Sequence, residues 1–249
     1  MIILVTGATA GFGVAIARRF AADGARIIAA GRRTERLDAL RDELGADKVL
    51  PLVLDVRDRA GITAAIDALP EAWRAVDVLV NNAGLALGLE PAQAANLDDW
   101  DAMIDTNCKG LVAMTRALLP GMVARNRGHI VNIGSTAAEF PYPGGNVYGA
   151  TKAFVRQFSL NLRADLFGTA IRVTDIEPGL VGGTEFSNVR FKGDDAKAAA
   201  IYADANALNP DDIADAVHWV ASRPGRVNVN TLQVMPVSQS FGPLRVHRG

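Results

Sequence analysis

Cysteine occurs once in this sequence, histidine three times, and no apolar stretch approaches the ~20 residues that cross a membrane as a helix. The lone Cys108 excludes an internal disulfide and fits a reducing compartment. It falls in a helical pattern, where a small buried side chain is the expected role. His129, His218 and His247 stand far apart, and no Cys or His spacing resembles a metal site, so no metal is expected. Charge of one sign is lacking as well. Lys and Arg together number 26 against 27 for Asp and Glu, and the net charge of -1 gives no general attraction to nucleic acid or an anionic membrane. The opening Met1-Ile2-Ile3-Leu4-Val5 has no basic flank and runs straight into glycines, so a strand is expected there and not a signal peptide, with a cytoplasmic location. No internal repeat, low-complexity tract or linker divides the 249 residues, 49% of them hydrophobic, and one α/β domain over 1–249 is expected.

What is present begins with that apolar run, residues 2–6, followed by Gly7-Ala8-Thr9-Ala10-Gly11-Phe12-Gly13 and a helical pattern over 14–22. Strand, glycine loop and helix in this order form the context of a dinucleotide-binding turn. Gly7 permits the tight turn, Gly11 the approach of a pyrophosphate to the backbone, and Gly13 close helix packing, while the helix N-terminus offers free N–H groups. A second strand over 26–30 ends at Gly31-Arg32-Arg33, where an NAD site places an acid for the ribose 2′-hydroxyl. Two guanidinium groups suit a 2′-phosphate instead, which predicts NADP.

Further strands are expected over 49–54, 77–80, 129–134, 171–176 and 228–234. Helical patterns separate them over 34–44, 59–69 and 98–126, the last expected to deform at Pro120-Gly121. Seven strands interleaved with helices predict a Rossmann-type, doubly wound and mostly parallel sheet with helices on both faces. Ligands then lie at the carboxyl ends of the strands, where Gly7, Arg32, Asp55, Asn82 and Ser135 all fall. After the sixth strand, the run Pro178-Gly179-Leu180-Val181-Gly182-Gly183-Thr184-Glu185-Phe186 is too rich in glycine for regular structure. It is expected to pass over the cofactor and lead into a lid-like segment, 183–208. The expected cofactor wall is therefore residues 7–13, Arg32, Arg33, Asp55, Val56, Asn82, Ala83, Gly84, Tyr148, Lys152 and this run.

Tyr148-Gly149-Ala150-Thr151-Lys152 opens another helical pattern, over 147–167. Residues four apart share a helix face, so the Lys152 ammonium can sit beneath the Tyr148 phenol. A free phenol has a pKa of ~10, and bringing it to ~7 takes about 4 kcal/mol at ~1.36 kcal/mol per unit. A lysine together with a cationic nicotinamide ring can supply that. Alone, such a pair is as easily two surface neighbours.

The set Thr6-Gly7-x-x-x-Gly11-x-Gly13, Asn81-Asn82-Ala83-Gly84, Asn107, Ser135, Tyr148-x-x-x-Lys152 and Pro178-Gly179 resembles the short-chain dehydrogenase/reductase family in order and spacing over the whole chain. The resemblance implies that Tyr148 is a general acid/base, that Lys152 lowers its pKa and holds the nicotinamide ribose, and that Ser135 orients the substrate oxygen. It implies that Asn107 supports a water-linked proton path to Lys152. Residues 7–13, Gly31-Arg32-Arg33, 145–152 and 175–195, with the tail ending Val246-His247-Arg248, look like the bacterial NADP-dependent 3-hydroxy acid dehydrogenases. That resemblance implies short substrates: L-allo-threonine, serine, 3-hydroxyisobutyrate, 3-hydroxypropionate and malonic semialdehyde.

Ala137-Ala138-Glu139-Phe140-Pro141-Tyr142 is expected to line the substrate pocket, with Glu139 adding an acid. A carboxylate substrate needs a cation, and Arg190 or Lys192 in the lid-like stretch is the candidate to join Ser135 and Tyr148 against it. Apolar residues on several faces of 111–126 and 147–167 fit either deep burial or helix packing between subunits, which the family resemblance favours as a homotetramer. The tail 236–249, with Phe241 and Leu244, is a further candidate subunit contact. Two other readings stay open: a reductase for 3-oxoacyl groups on a carrier protein, and a non-catalytic NADP-binding sensor.

Overall fold

The computed structural model describes residues 1–241. The expectations for Leu244 and for Val246-His247-Arg248 lie outside the described residues. Its organising feature is one seven-stranded sheet, in spatial order β3-β2-β1-β4-β5-β6-β7, with every neighbouring pair parallel. The strands are β1 (Ile2–Thr6), β2 (Arg26–Gly31), β3 (Val49–Val53), β4 (Val78–Asn81), β5 (Gly128–Ile133), β6 (Ile171–Pro178) and β7 (Thr231–Val234). Because parallel strands need crossovers, helices must cover both faces, and the central strands read as unbroken apolar runs. All five residues of β1 are buried. Alternate residues feed two cores. Ile3, Val5 and Ile27 meet Ile16, Phe20 and Val217 on one face, while Leu4, Ile28 and Leu79 meet Met114, Leu118 and Leu162 on the other.

The helices are α1 (Gly11–Ala22), α2 (Thr34–Leu44), α3 (Arg59–Asp67), α4 (Glu71–Arg74), α5 (Leu97–Ile104), α6 (Leu111–Ala124), α7 (Asn146–Asp165), α8 (Phe186–Arg190), α9 (Asp195–Ala200) and α10 (Pro210–Ala221). The chain runs outward from β1 to β2 and β3, then returns to place β4 on the other side of β1. That reversal opens a crevice at the carboxyl ends of β1 and β4.

Three expectations about elements change. The helical pattern over 98–126 is interrupted not at Pro120, which sits inside α6, but by a π-helical turn, Asp105–Gly110. Two local forces account for it. The Asn107 side chain binds both backbone groups of Leu85, at 2.9 and 2.8 Å, and Gly110 packs so close to Val56 that a Cβ would lie 2.9 Å from its carbonyl oxygen. Such turns recur at functional sites. The pattern over 59–69 ends sooner, at Asp67, and the short helix α4 follows with Pro70 at its N-cap. The last strand begins at Thr231 and not at 228, because the Asn228 side-chain amide replaces the ladder, bonding Val173 N and O at 2.8 and 2.9 Å.

The lid-like segment folds as α8 and α9 joined by turns, and a parallel bridge between Val181 and Leu208 brings its two ends together. Helix α7 turns Tyr148, Thr151, Lys152, Val155, Ser159 and Leu162 inward at helical spacing. Its outer face leaves Phe154 and Leu160 exposed, with Phe154 stacked on Phe158 at 6.0 Å.

Candidate active site

A cleft of about 670 Å³ opens at the carboxyl ends of the strands. Its first wall is backbone. Gly7 and Gly11 have φ of 68° and 50°, a left-handed conformation that glycine adopts without Cβ strain. Gly13 faces inward, where a Cβ would stand 2.2 Å from Gly7 O, so its role is packing. Helix α1 begins without a side-chain cap, which leaves N–H groups at its N-terminus free for an anion in the cleft. Asn82 fastens β1 to β4: its Nδ2 donates to Thr6 O at 2.8 Å, and the N–H groups of Asn82 and Ala83 donate to Thr6 Oγ1.

Cations stand at the end of β2. Arg33 donates to Thr9 Oγ1 at 2.9 Å and to Glu185 at 2.9 Å, and Arg36 donates to the other Glu185 oxygen at 2.7 Å. One carboxylate therefore occupies a two-guanidinium clamp of the kind that fits a phosphate. The arginines hold the Glu185 carboxyl below its usual range, Arg33 first. Arg36 was not among the sequence candidates, although it lies one helical turn from Arg33 in the first turn of α2. Arg32 is exposed on the cleft rim. It adds to the hold on the Asp55 carboxyl, which is kept low mainly by its bonds to Arg57.

The second wall is made of side chains. Ser135 caps the short turn after β5, its Oγ accepting from Ala137 N at 3.1 Å. Tyr148 and Lys152 are 8% and 7% exposed and both border the cleft. Lys152 Nζ donates to Ile133 O at 2.8 Å and lies 5.8 Å from the centre of the Tyr148 ring. Asn107 is buried behind them, donating to Thr151 Oγ1 at 3.1 Å. It does not touch the cleft. Gly84 stands between the two side chains: a Cβ there would lie 3.3 Å from Asn107 Oδ1 and 3.6 Å from Lys152 Nζ.

The protein alone does not lower the Tyr148 pKa. Burial pushes the phenol up to about 12, against the opposing pull of the Ser135 hydroxyl and Arg190. Burial also pushes the Lys152 ammonium down to about 8, with Asp175 opposing. In a desolvated site, one ammonium held on a carbonyl does not offset the cost of a phenolate. Ionising the phenol there takes further positive charge.

Arg190 is buried at 8% exposure, donating to Gly88 O at 3.1 Å and to Tyr142 Oη at 2.9 Å. Its guanidinium carbon lies 5.4 and 5.6 Å from the ring centres of Tyr142 and Tyr148, on the cleft wall. Lys192 goes elsewhere. With φ of 53° just past α8, it turns outward to pair with Asp99 at 2.8 Å and does not line the cleft. Glu139 also leaves the pocket, pairing with Arg156, while Ala137, Phe140, Pro141 and Tyr142 of the same run line it.

Of the expected cofactor wall, Ala8, Gly13, Gly182 and Gly183 stand back from the cleft surface and the others border it. Several wall residues escaped sequence reasoning, among them Tyr202, Met235 and Gln239. Gln239 Oε1 accepts from Leu180 N at 2.7 Å, binding the chain's end to the loop after β6. A contact 59 positions apart has no local signal.

An uncapped helix start at a sheet switch point, a two-arginine anion clamp and a Ser-Tyr-Lys wall define the class: a dinucleotide-binding α/β protein with an oxidoreductase-type site. The model of the short chain dehydrogenase family matches residues 1–195, and the chain belongs to that family. It is 69% identical over 248 residues to an NADP-dependent 3-hydroxy acid dehydrogenase of Salmonella typhi, covering 100% of both chains. It is 50% identical to a serine 3-dehydrogenase of Agrobacterium fabrum over 246 residues, 99% of this chain and 98% of the relative. Among solved structures, the closed form of a serine dehydrogenase complexed with NADP+ superposes with a TM-score of 0.99 at 66% identity, over 100% of both chains.

Proposed function

We propose that this chain is an NADP-dependent dehydrogenase that oxidises the 3-hydroxyl group of short 3-hydroxy acids. L-allo-threonine, serine, 3-hydroxyisobutyrate and 3-hydroxypropionate are its substrates, and malonic semialdehyde is reduced in reverse. The relatives named above support the class of reaction. The observation that carries the substrate class is Arg190, a buried cation 5.6 Å from the Tyr148 ring in the same cleft. A substrate with a free carboxylate one carbon removed from its alcohol carbon gives that guanidinium an anionic partner. A carrier-linked 3-oxoacyl ester has no free carboxylate and would leave it without one.

The residues present fit NADP. The free N–H groups of α1 would hold the pyrophosphate, and Arg33 with Arg36, which already grip a carboxylate, would hold the 2′-phosphate. When bound, NADP supplies the hydride acceptor and a positive ring. Ser135 holds the substrate oxygen, and Tyr148 takes the alcohol proton in oxidation and returns it in reduction. With its pKa at about 12, the phenol is protonated near neutrality and ready as an acid. As a base it depends on added positive charge. Lys152 would hold the ribose and, with Asn107 behind it, carries the Tyr148 proton away in oxidation and restores it in reduction. The exposed Phe154, Leu160 and Phe167 on α7 and just beyond it support helix packing between subunits of a homotetramer.

The test is NADPH formation from NADP with L-serine, L-allo-threonine or 3-hydroxypropionate, repeated with NAD. Turnover of the free acids with NADP is expected. NADP binding without turnover of any free acid overturns the substrate class, and turnover only of carrier-linked 3-oxoacyl groups installs the carrier reading. In gel filtration, a monomer at micromolar concentration rejects the tetramer.

A further inference from the structure

Two buried acids take no part in this scheme. Asp175 and Glu177 alternate along β6, both on the face that meets α7, and each is 1% exposed. Neither oxygen of Asp175 has a hydrogen-bond partner, nor does Oε1 of Glu177. Oε2 of Glu177 accepts from Gln233 Nε2 of β7 at 3.1 Å, and Arg156 Nε of α7 stands 3.5 Å from Oε1. Arg156 is shared, because Glu139 from the turn after β5 also pairs with it. The Asp175 carboxyl lies under Gly134, where a Cβ would come within 2.5 Å of Oδ1. Gly134 joins Ile133, whose carbonyl holds the Lys152 ammonium, to Ser135. Arg156 from α7, Glu139 from the turn and Gln233 from β7 meet this pocket, and the Lys152 ammonium, itself within the influence of Cys108 of the π-helical turn, acts on it by charge.

Two carboxylates buried side by side with one shared arginine do not both ionise. A neutral carboxyl needs an acceptor for its O–H, and Glu177 offers Oε1, which accepts no hydrogen bond. We propose that Asp175 is a positioning residue for the reaction: it shares one proton with Glu177 beneath Gly134 and, on releasing that proton, becomes the counter-charge that keeps Lys152 an ammonium at alkaline pH. The inference rests on the reading of Lys152 as the partner of Tyr148.

The energetics agree in sign. Burial, then the Glu177 charge, pushes Asp175 up to about 8, and burial pushes Lys152 down to about 8. The two groups thus titrate in one range, and the Asp175 anion opposes the loss of the Lys152 proton. No bond to carbon changes: the pair loses a proton to solvent and gains a negative charge that acts on the ammonium.

The test compares the pH dependence of kcat/KM for serine oxidation in the wild type, Asp175→Asn and Glu177→Gln. Asn keeps a donor toward Glu177 but never becomes an anion, so the alkaline limb moves to lower pH by about one unit. Gln removes the like charge, Asp175 ionises earlier, and the limb moves the other way. A carboxylic-acid C=O infrared band is expected in the wild type near neutrality, fading as pH passes about 8. It is absent from Asp175→Asn. A purely structural role lowers activity or melting temperature without moving the limb. Coincident limbs in all three proteins, or no protonated-acid band in the wild type, overturn the proposal, and the band decides even if Asp175→Asn does not fold. Full activity in Lys152→Ala would instead remove the reading beneath it.

Discussion

The two walls of the cleft are built from different materials. The wall from β1, α1 and β4 is main chain: glycines at positive φ, an uncapped helix start and an asparagine amide that ties two strands together. The wall from α7, α8 and the turn after β5 is side chain, with Ser135, Tyr142, Tyr148, Lys152 and Arg190 converging on one space. A main-chain wall can grip a group common to many substrates, because backbone N–H groups are present whatever the neighbouring side chains. A side-chain wall carries reaction and selectivity. Substitutions in the second should therefore cost rate or substrate affinity, and those in the first should cost cofactor affinity or folding.

The sharpest test is Tyr148→Phe, which keeps the ring packed against Phe186 at 5.8 Å and removes only the hydroxyl proposed as the acid/base. We expect kcat to fall by about 10² to 10⁴ with NADP binding unchanged, as read by single-turnover kinetics and cofactor titration. If rate survives, the second wall is not the chemical one. Next in size is the double substitution Arg33→Ala with Arg36→Ala. Loss of two charge-assisted bonds predicts a rise of about 10- to 100-fold in KM for NADP, with KM for NAD changed far less. A parallel loss for both cofactors would mean that the clamp is structural and not selective. Gly13→Ala probes the main-chain wall itself. A methyl 2.2 Å from Gly7 O forces the turn and helix apart, at a cost of about 1–3 kcal/mol visible as a lower melting temperature.

The same contrast explains what the sequence revealed. The first wall is local, so strand, glycine loop and helix announced themselves within 21 consecutive residues, Ile2–Thr6 through Gly11–Ala22. The parallel sheet was legible because strands buried on both faces must be continuous apolar runs. The second wall was legible where chemistry is rare in kind, at Ser135, Tyr148 and Lys152, and in part at Arg190 and the run 137–142, which were expected beside Lys192 and with Glu139. Tyr202 is an ordinary aromatic until tertiary packing aims it at the cleft. The irregular turn at Asn107 was missed because its cause, the Leu85 backbone, lies 22 positions away. The cost of ionising the phenol was not legible for a related reason. Helical spacing places Lys152 near Tyr148, but only the fold shows how deeply both are buried and that the ammonium rests on Ile133 O.

The smallest effects separate two cations that sequence could not rank. Arg190 and Lys192 stand two positions apart, yet one closes inward on Tyr142 and the other pairs with Asp99 at the surface. Arg190→Ala should raise KM for serine about tenfold, with a smaller effect on kcat, because the proposed carboxylate contact would be made in ground and transition states alike. Lys192→Ala should leave KM within about twofold of the wild type, since an exposed ion pair contributes little. Equal effects from the two would mean that α8 docks differently when substrate is bound. A loss confined to Lys192→Ala would transfer the carboxylate site to the outer face of the 183–208 segment.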